Sequence, residues 1–473
     1  MSEWVQMLLV LIPLFALPWI LGTLALKNRV PCATRWWFGV LATSLYLLVT
    51  HALHLPQIFV FGLLGMLILW GIIGMTKEQV KDLTTKPPFS FPHPASIVIV
   101  FLLTCLYLFI LSHPIHPMSW DALVIWFNKA KGLFYWLPFY ALPYPRFEMA
   151  NYPHLGAVYE MFLMKFTGAP LENFGRLIFP TFYFMWILAL NQIGPVQKHQ
   201  ILRWVGLFMG LVFFDKWLFT NGYQDGFLAV TGGMALLHLT KYLLSNPESA
   251  PTSGEPDLFL GFFFAGSSCL IKMEGSVMNL TLTATFLITL LVSKTHWFLA
   301  VGIRKIGPSL TISLTLLILW PILLTVNHMN AGHIPGNAYA FRDILTCYRN
   351  LDRWQYIAPF FANYGREHSL ILSLSAILSI LSSLFIPRSR IAFLFLWLAI
   401  FGYSGFVALA FLATKLPLLW HLETAFSRLM FQQFAAYAFI LFLGMSFLWD
   451  KVFDISKAKI SKDAPTEGLL GTK

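Results

Sequence analysis

Long apolar runs, separated by short polar turns, occupy most of the chain. A helix needs about twenty predominantly apolar residues to cross a bilayer, and most of the runs approach that length. The pattern therefore predicts an all-α integral membrane protein with about thirteen transmembrane helices, within a range of about 11 to 14. The predicted helices cover 4–24, 37–55, 57–75, 95–112, 174–193, 204–221, 227–245, 258–271, 276–293, 309–327, 369–386, 391–413 and 429–449.

Basic residues set the predicted orientation of these helices. The first connection carries Lys27, Arg29 and Arg35. Cytoplasmic loops are enriched in lysine and arginine, so we place this connection in the cytoplasm. Nearly all later basic loops then lie there too, provided that a short apolar helix over 155–168 lies along the surface or re-enters instead of crossing. Two long connections, 113–173 and 328–368, fall at the extracytoplasmic face, and we expect interfacial helices in the first of them.

Composition narrows the class of protein. Hydrophobic residues make up 58% of the chain and charged residues 11%, whereas soluble domains carry about a quarter charged residues. The net charge of +11 is explained by basic cytoplasmic loops, so no nucleic-acid partner is expected. The four cysteines form no metal-binding or disulfide motif. We expect a multi-pass protein of the plasma or inner membrane, surrounded by membrane lipids.

Ionisable residues at membrane depth are costly and often functional, and four groups of them fall on the predicted extracytoplasmic side. The first begins with Asp121, where the fourth helix leaves the bilayer. If that helix continues, Asn128 lies on the same face seven residues later, beside Lys129. Asp121 fits either a helix cap or a site residue. Further along this loop, Tyr152 and His154 flank the predicted start of the short helix.

The second and third groups lie between later helices. Asp225 stands in a polar turn, where it fits an ordinary turn residue or a site residue. Lys272 and Glu274 interrupt a 35-residue apolar stretch from Leu258 to Val292 and divide it into two helices. Paired opposite charges tolerate burial better than single ones, so a structural pair is one interpretation. A catalytic or ligand-binding break is the interpretation we favour.

The fourth group, His421 and Arg428, lies in the segment that enters the last predicted helix. On one helix the two residues share a face, at positions i and i+7. An arginine near a helix start is opposed by the macrodipole unless an anion lies there, which favours an anion site. Snorkelling of Arg428 to the membrane interface is the alternative.

The order of these motifs resembles that of the polytopic GT-C glycosyltransferases, among them the dolichyl-phosphate-mannose protein mannosyltransferases and the aminoarabinose transferases of lipid A. The resemblance runs from about 95 to 430. Its features are Trp120-Asp121 in the first outer loop, Trp126 followed by Lys129, the Tyr152-Pro153 helix entry, the Tyr223/Asp225 turn, the Lys272/Glu274 break, and the late His421 and Arg428. The chain departs from that family in three respects. Three helices precede the one that leads to the catalytic loop, a single Asp121 replaces an acidic pair, and no soluble outer domain follows.

The resemblance implies roles for these residues. Asp121 would be the catalytic acidic residue and Asp225 a second acidic residue of the outer face. The donor would be a sugar linked to a polyprenyl phosphate, and the candidates for holding its phosphate are Lys272, His421 and Arg428. The residues expected to bind substrate or to support the site are Asn128, Lys129, Tyr152, His154, Asp225 and Glu274. A divalent metal is left open, with Asp121 and Asp225 as candidate ligands.

Three regions are predicted. Accessory transmembrane helices occupy 1–94, a GT-C-like catalytic core occupies 95–450, and a cytoplasmic tail follows over 451–473.

The predicted function is a membrane glycosyltransferase that moves a sugar from a polyprenyl-phosphate donor to a hydroxyl of a lipid, glycan or protein at the extracytoplasmic face. Such a transfer needs a base for the acceptor hydroxyl and cations for the departing phosphate. Two alternatives stay open: a transporter or flippase of a lipid-linked or anionic solute, and a polymerase or ligase of surface polysaccharide. Motifs of soluble nucleotide-binding enzymes and hydrolases are absent from the chain.

Overall fold

The structure is a computed structural model, and it describes residues 3–26, 30–73, 122–139, 152–193, 224–245, 255–293, 303–329 and 347–463. Within these ranges the secondary structure is helical, with no strand. Eight of the described helices are long and apolar enough to cross a membrane, or nine if one bent pair counts as a single span. The predicted class, an all-α multi-pass membrane protein, is therefore confirmed. The predicted number of thirteen spans is not, and two of the predicted helices, 95–112 and 204–221, lie outside the described residues.

The helices of the first half are joined by two π-helical segments. They are α1 (Glu3–Leu11), a π segment (Ile12–Ala16), α2 (Leu17–Leu26), α3 (Cys32–Ala52), α4 (Gln57–Ile73), a second π segment (Ala122–Phe127), α5 (Asn128–Phe134), α6 (Leu155–Thr167), α7 (Glu172–Arg176), α8 (Ile178–Ile193) and α9 (Gln224–Leu244).

The second half continues with α10 (Glu255–Ser268), α11 (Met273–Val292), α12 (Ile303–Val326), a 3₁₀ turn (Cys347–Arg353), α13 (Trp354–Glu367), α14 (Ser369–Phe385), α15 (Ser389–Ala413), α16 (Leu418–Phe431) and α17 (Phe434–Asp463).

The N-terminal helices pack directly against the rest of the bundle. Trp37 on α3 stacks on Phe182 of α8 with ring centroids 4.8 Å apart, and Phe182 stacks on Phe227 of α9 at 3.9 Å. The first π segment supplies backbone acceptors at this contact, since the Trp36 indole donates to Leu14 O at 2.8 Å. Backbone groups without a partner are expensive in a membrane, so such bonds hold an irregular helix in place.

The short helix predicted over 155–168 is α6. It has 13 residues, which at 1.5 Å per residue gives about 20 Å, less than the roughly 30 Å hydrocarbon core. It runs along α1 and the first π segment: the Gln6 amide of α1 donates to Thr167 O at 3.2 Å, and the Tyr159 hydroxyl donates to Pro13 O of the π segment at 2.8 Å. The predicted orientation requires that this helix does not cross the membrane, and a helix this short agrees with that requirement.

The long apolar stretch from Leu258 to Val292 is divided into α10 and α11, as the two opposite charges predict. Helix α10 packs between α9 and α12, and α11 packs on α15. The break between α10 and α11 lies beside the N-terminal end of α9, because Lys272 of the break contacts Asp225 in the first turn of α9.

The last membrane segment differs from the prediction. A single helix over 429–449 is predicted, but two helices, α16 and α17, meet at Gln432 and Gln433. At this junction Gln433 Oε1 accepts from Ser404 at 3.1 Å, and α16 and the first part of α17 together form one candidate membrane span, Leu418–Trp449. Helix α17 also continues to Asp463, beyond the predicted start of a solvated tail.

The outer connection predicted over 328–368 contains the 3₁₀ turn and α13, while 330–346 lies outside the described residues. Helix α13 and α14 form the bent pair, with an angle of 73° between them. Arg353 donates to Thr414 O at 2.6 Å, and Asn350 donates to Leu412 O at 2.9 Å. These bonds satisfy carbonyls at the C-terminal end of α15, so the 3₁₀ turn of this connection stabilises the end of that helix.

Candidate functional site

Three helix ends meet around the carboxylate of Asp225. This residue is buried in the first turn of α9, so the prediction of a turn position is wrong, although an acidic residue suits the N-terminal end of a helix. Its Oδ1 accepts a hydrogen bond from Lys272 Nζ at 2.8 Å and another from Gln432 Nε2 at 2.5 Å. The contact brings together residues from three separate parts of the chain.

Lys272 and Glu274 flank the break between α10 and α11. Lys272 has extended backbone dihedrals (φ −146°, ψ 161°) and precedes the first residue of α11. Its ammonium also lies 3.5 Å from Glu274 Oε1. The break is tight, because a Cβ on Gly275 would stand 1.8 Å from the carbonyl oxygen of Ser268. Only glycine allows α11 to start this close to the end of α10.

Arg428 lies on the other side of the cluster. It is predicted at a helix start, but the structure places it in the last turn of α16. The macrodipole there favours a cation, so the argument that Arg428 needs an anion for this reason is wrong. Arg428 interacts electrostatically with both Asp225 and Lys272.

His421 is part of the same helix but is engaged elsewhere. It is buried, its Nδ1 lies 2.9 Å from the Thr414 hydroxyl, and its ring packs against Phe411. It also interacts electrostatically with Arg428. The predicted proximity of His421 and Arg428 is present, and the bond to Thr414 orients the imidazole.

The cluster has balanced charge and two open acceptors. Two carboxylates, Asp225 and Glu274, face two cations, Lys272 and Arg428, so the formal charges cancel. Among the described residues, Asp225 Oδ2 and Glu274 Oε2 are buried and have no hydrogen-bond partner. Buried acceptors of this kind are costly when unsatisfied. They fit a ligand that brings hydroxyl or other donor groups.

Lys129, Tyr152 and His154 form a second cluster at the start of α6. Lys129 is fully buried, donates to Tyr152 O at 3.0 Å, and lies 4.7 Å from the centroid of Trp126. Burial lowers the pKa of Lys129 well below its ordinary value. Burial and the charge of Lys129 likewise lower the pKa of His154. His154 therefore contributes a neutral aromatic ring to this cluster, and its ring centroid lies 4.8 Å from that of Phe139.

The two clusters are joined through the backbone. Leu155 N, at the start of α6, donates to Leu270 O at 2.9 Å. Leu270 lies two residues before Lys272, so the aromatic cluster and the charged cluster are parts of one region.

Asp121 and Asn128, the other two predicted site residues of the first outer loop, are not part of either cluster as described. Asp121 lies outside the described residues, so its role stays a prediction. Asn128 donates to Val124 O at 3.0 Å. The segment Ala122–Phe127 is a π-helix, whose wider turn removes the α-helical relation on which the expected shared face of Asp121 and Asn128 depends.

Sequence reasoning missed several polar residues of this region. Gln432 connects Asp225 to the Tyr403 hydroxyl, which donates to its amide oxygen. Glu160, buried in α6, accepts a hydrogen bond from Gln224 at 2.6 Å. Two signals in the sequence could have indicated these residues. Glu160 is a lone carboxylate in an apolar helix, and Gln432 belongs to a pair of glutamines in an apolar run.

An apolar crevice of about 30 Å³ opens beside the charged cluster, between α9, α11, α15 and the start of α17. Gly232, Gly233 and Ala435 are among the small residues of its walls, while Tyr403 and Gln432 contribute polar groups. Such a volume holds about two water molecules. A lipid chain would enter it only after the helices move apart.

No group of three His, Cys, Asp or Glu side chains that could hold a metal occurs among the described residues. Asp225, a predicted candidate ligand, accepts hydrogen bonds from the ammonium of Lys272 and from the amide NH₂ of Gln432, and neither of these groups is a metal ligand. Comparison of the chain with protein-family models, with curated proteins and with solved structures found no match.

Proposed function

We propose that the protein is a membrane glycosyltransferase of GT-C architecture that transfers a sugar from a polyprenyl-phosphate donor to a hydroxyl acceptor at the extracytoplasmic face of the plasma or inner membrane. The observation that carries the proposal is the buried cluster of Asp225, Lys272, Glu274 and Arg428 at the break between α10 and α11. Ionisable residues buried among membrane helices are rare and often mark functional sites.

Two features of the cluster suit a sugar phosphate. The N-terminal ends of α9 and α11 meet there, and helix N-termini favour anions. Lys272 and Arg428 supply the cations that a departing phosphate requires. The open oxygens of Asp225 and Glu274 can accept hydrogen bonds from sugar hydroxyls. We assign the donor headgroup to this cluster, with His421 beside it.

The predicted base is Asp121. In the proposed reaction the acceptor oxygen bonds to the anomeric carbon, its proton passes to the Asp121 carboxylate, and the bond from the anomeric carbon to the phosphate oxygen breaks. The polyprenyl phosphate leaves with its negative charge facing Lys272 and Arg428. Loss of a general base typically lowers the rate by about 10²–10⁴-fold, and we expect Asp121→Asn to lose turnover to this extent while retaining donor binding.

The alternative of a transporter or flippase rests on the same ion pair. A transporter moves its solute unchanged and alternates access, whereas a transferase consumes its donor without a gradient. The two functions are therefore separated by the fate of the donor.

The direct test incubates the purified protein, in lipid nanodiscs, with a panel of radiolabelled polyprenyl-phosphate sugars and a hydroxyl acceptor mixture. We expect sugar transfer or slow donor hydrolysis with at least one donor. A parallel assay reconstitutes the same protein into sealed vesicles that contain the donors. Intact donor in the nanodiscs, together with movement of the donor across the vesicle membrane, would refute the transferase and support the flippase.

The assignment of the phosphate is tested at Arg428. Arg428→Lys keeps the charge but loses the bidentate fork, so donor affinity should fall, and Arg428→Ala should lower it further. Arg366→Gln is the matched control, because Arg366 is exposed and bonds only Asn363 among the contacts described. Donor affinity equal to wild type in both Arg428 variants would remove Arg428 from the donor site.

A further inference from the structure

A groove of about 620 Å³ opens between α14 and α15 and shares no lining residue with the charged cluster. Among the described residues its walls come from these two helices alone. Ile380 and Leu384 line it from α14, and Phe393 and Leu394 line it from α15. Its volume lies within the range of ligand-binding pockets, roughly 300–1,000 Å³.

The groove faces outward because α14 packs on another helix. Ser382 of α14 donates to Gly444 O of α17 at 3.3 Å, so the opposite face of α14 is left exposed. On that face Ile380 is 59% exposed and Leu384 is 64% exposed. Trp397 Nε1 donates to Ser379 Oγ at 3.1 Å and joins the two helices across the groove.

The groove has the length of one membrane leaflet. From Arg390 to Phe401 helix α15 advances 11 residues, or about 16 Å, and half of the hydrocarbon core is about 15 Å. Helix α15 is itself apolar enough to span a membrane. Arg390 thus lies at the level of the lipid headgroups when Phe401 lies near the bilayer centre.

The headgroup end of the groove is basic. Arg390 Nε donates to Ser383 O at 2.8 Å, which fixes the guanidinium at the rim. Arg388 is exposed in the turn between α14 and α15, two residues before Arg390. The described residues that line the groove include no acidic side chain. A basic rim above an apolar groove complements an anionic headgroup joined to acyl chains.

We propose that the groove between α14 and α15 binds an anionic glycerophospholipid, with its acyl chain along Leu394 and its phosphate at Arg390. By the basic-residue bias this rim faces the cytoplasm, so the lipid comes from the inner leaflet. The site is independent of the donor site, and neither proposal needs the other.

Native mass spectrometry of the purified full chain tests the proposal, with 1-palmitoyl-2-oleoyl phosphatidylglycerol and the matching phosphatidylcholine as probes. We expect preferential retention of phosphatidylglycerol. Arg390→Gln should weaken that binding by about five- to tenfold, the effect of one interfacial cation. Leu394→Trp fills the groove and should weaken binding of both lipids. Arg366→Gln, a change to an exposed arginine outside the groove, should bind as wild type does.

Three results would overturn the proposal. The first is equal retention of the two lipids, with Arg390→Gln unchanged. The second is displacement of phosphatidylglycerol by glycerol phosphate alone, which would indicate a site for a free anion. The third is stronger binding of a polyprenyl phosphate than of phosphatidylglycerol in the same groove, since the groove would then belong to the donor. Because Arg390→Gln also loses a bond to Ser383, melting of each variant is recorded, and Leu394→Trp tests the groove without that loss.

Discussion

Replacement of Lys272 by methionine isolates the energetics of the charged cluster. Methionine has nearly the length of lysine and no charge, so the main change is electrostatic. The side chains of Lys272 and Asp225 are 4% and 1% exposed, and Glu274 lies 3.5 Å away. Removal of the lysine leaves two buried carboxylates with Arg428 as the one cation of the cluster. Loss of one partner from a buried pair costs about 3–5 kcal/mol, and we expect a destabilisation of that size.

The double variant Asp225→Asn/Lys272→Met should recover part of this loss, because the charges that remain in the cluster, Glu274 and Arg428, are equal and opposite. We expect a coupling energy between Asp225 and Lys272 of about 2–3 kcal/mol. The matched control is Lys241→Met: Lys241 also pairs with an aspartate, Asp257, at 3.0 Å, but its side chain is 37% exposed. Because Lys241 is partly exposed and the buried Asp257 keeps its contact with His238 at 2.8 Å, loss of the Lys241 charge should cost no more than about 1 kcal/mol.

The measurement is reversible unfolding by denaturant in detergent micelles, followed by circular dichroism, for the wild type, both single variants, the double variant and the Lys241 control. The reasoning is refuted if Lys272→Met destabilises no more than Lys241→Met. It is refuted equally if the coupling energy lies below about 0.5 kcal/mol, since residues in direct contact should exceed that value.

Two further outcomes are expected. Gly275→Ala should destabilise the protein by about 1–3 kcal/mol or more, because the new Cβ meets Ser268 O. Gly405→Ala is the control: a Cβ there has nothing within 4 Å, so this variant should be neutral or stabilising. Equal melting temperatures of the two variants would contradict the close contact at the break between α10 and α11. In a cysteine-free background, Asp352→Cys should react with an impermeant thiol reagent from outside and Arg388→Cys should not; the reverse pattern would mean that α6 crosses the membrane or that the orientation is inverted.

Several features of the protein were determined by local sequence. Continuous apolar runs predict the all-helical membrane class, because a chain in lipid must satisfy its backbone groups within helices. The break at Lys272 and Glu274 was predictable as well, since two charges and a glycine cannot continue an apolar helix at low cost. So was the start of α6 after His154. Each of these features depends on residues close together in the chain.

The partners of the charged residues were decided only by the tertiary structure. Lys272 pairs with Asp225, 47 positions earlier, and Gln432 reaches the same carboxylate from 207 positions away. Sequence spacing does not report which helix ends meet across a bundle. The position of Arg428 in the last turn of α16 likewise reflects the junction at Gln432 and Gln433, whose side chains bond to neighbouring helices. The local pattern of apolar residues determines where a membrane helix forms, because the contributions of apolar residues add up along the helix. The site, in contrast, consists of contacts between helices, and only the packing of the bundle brings those helices together.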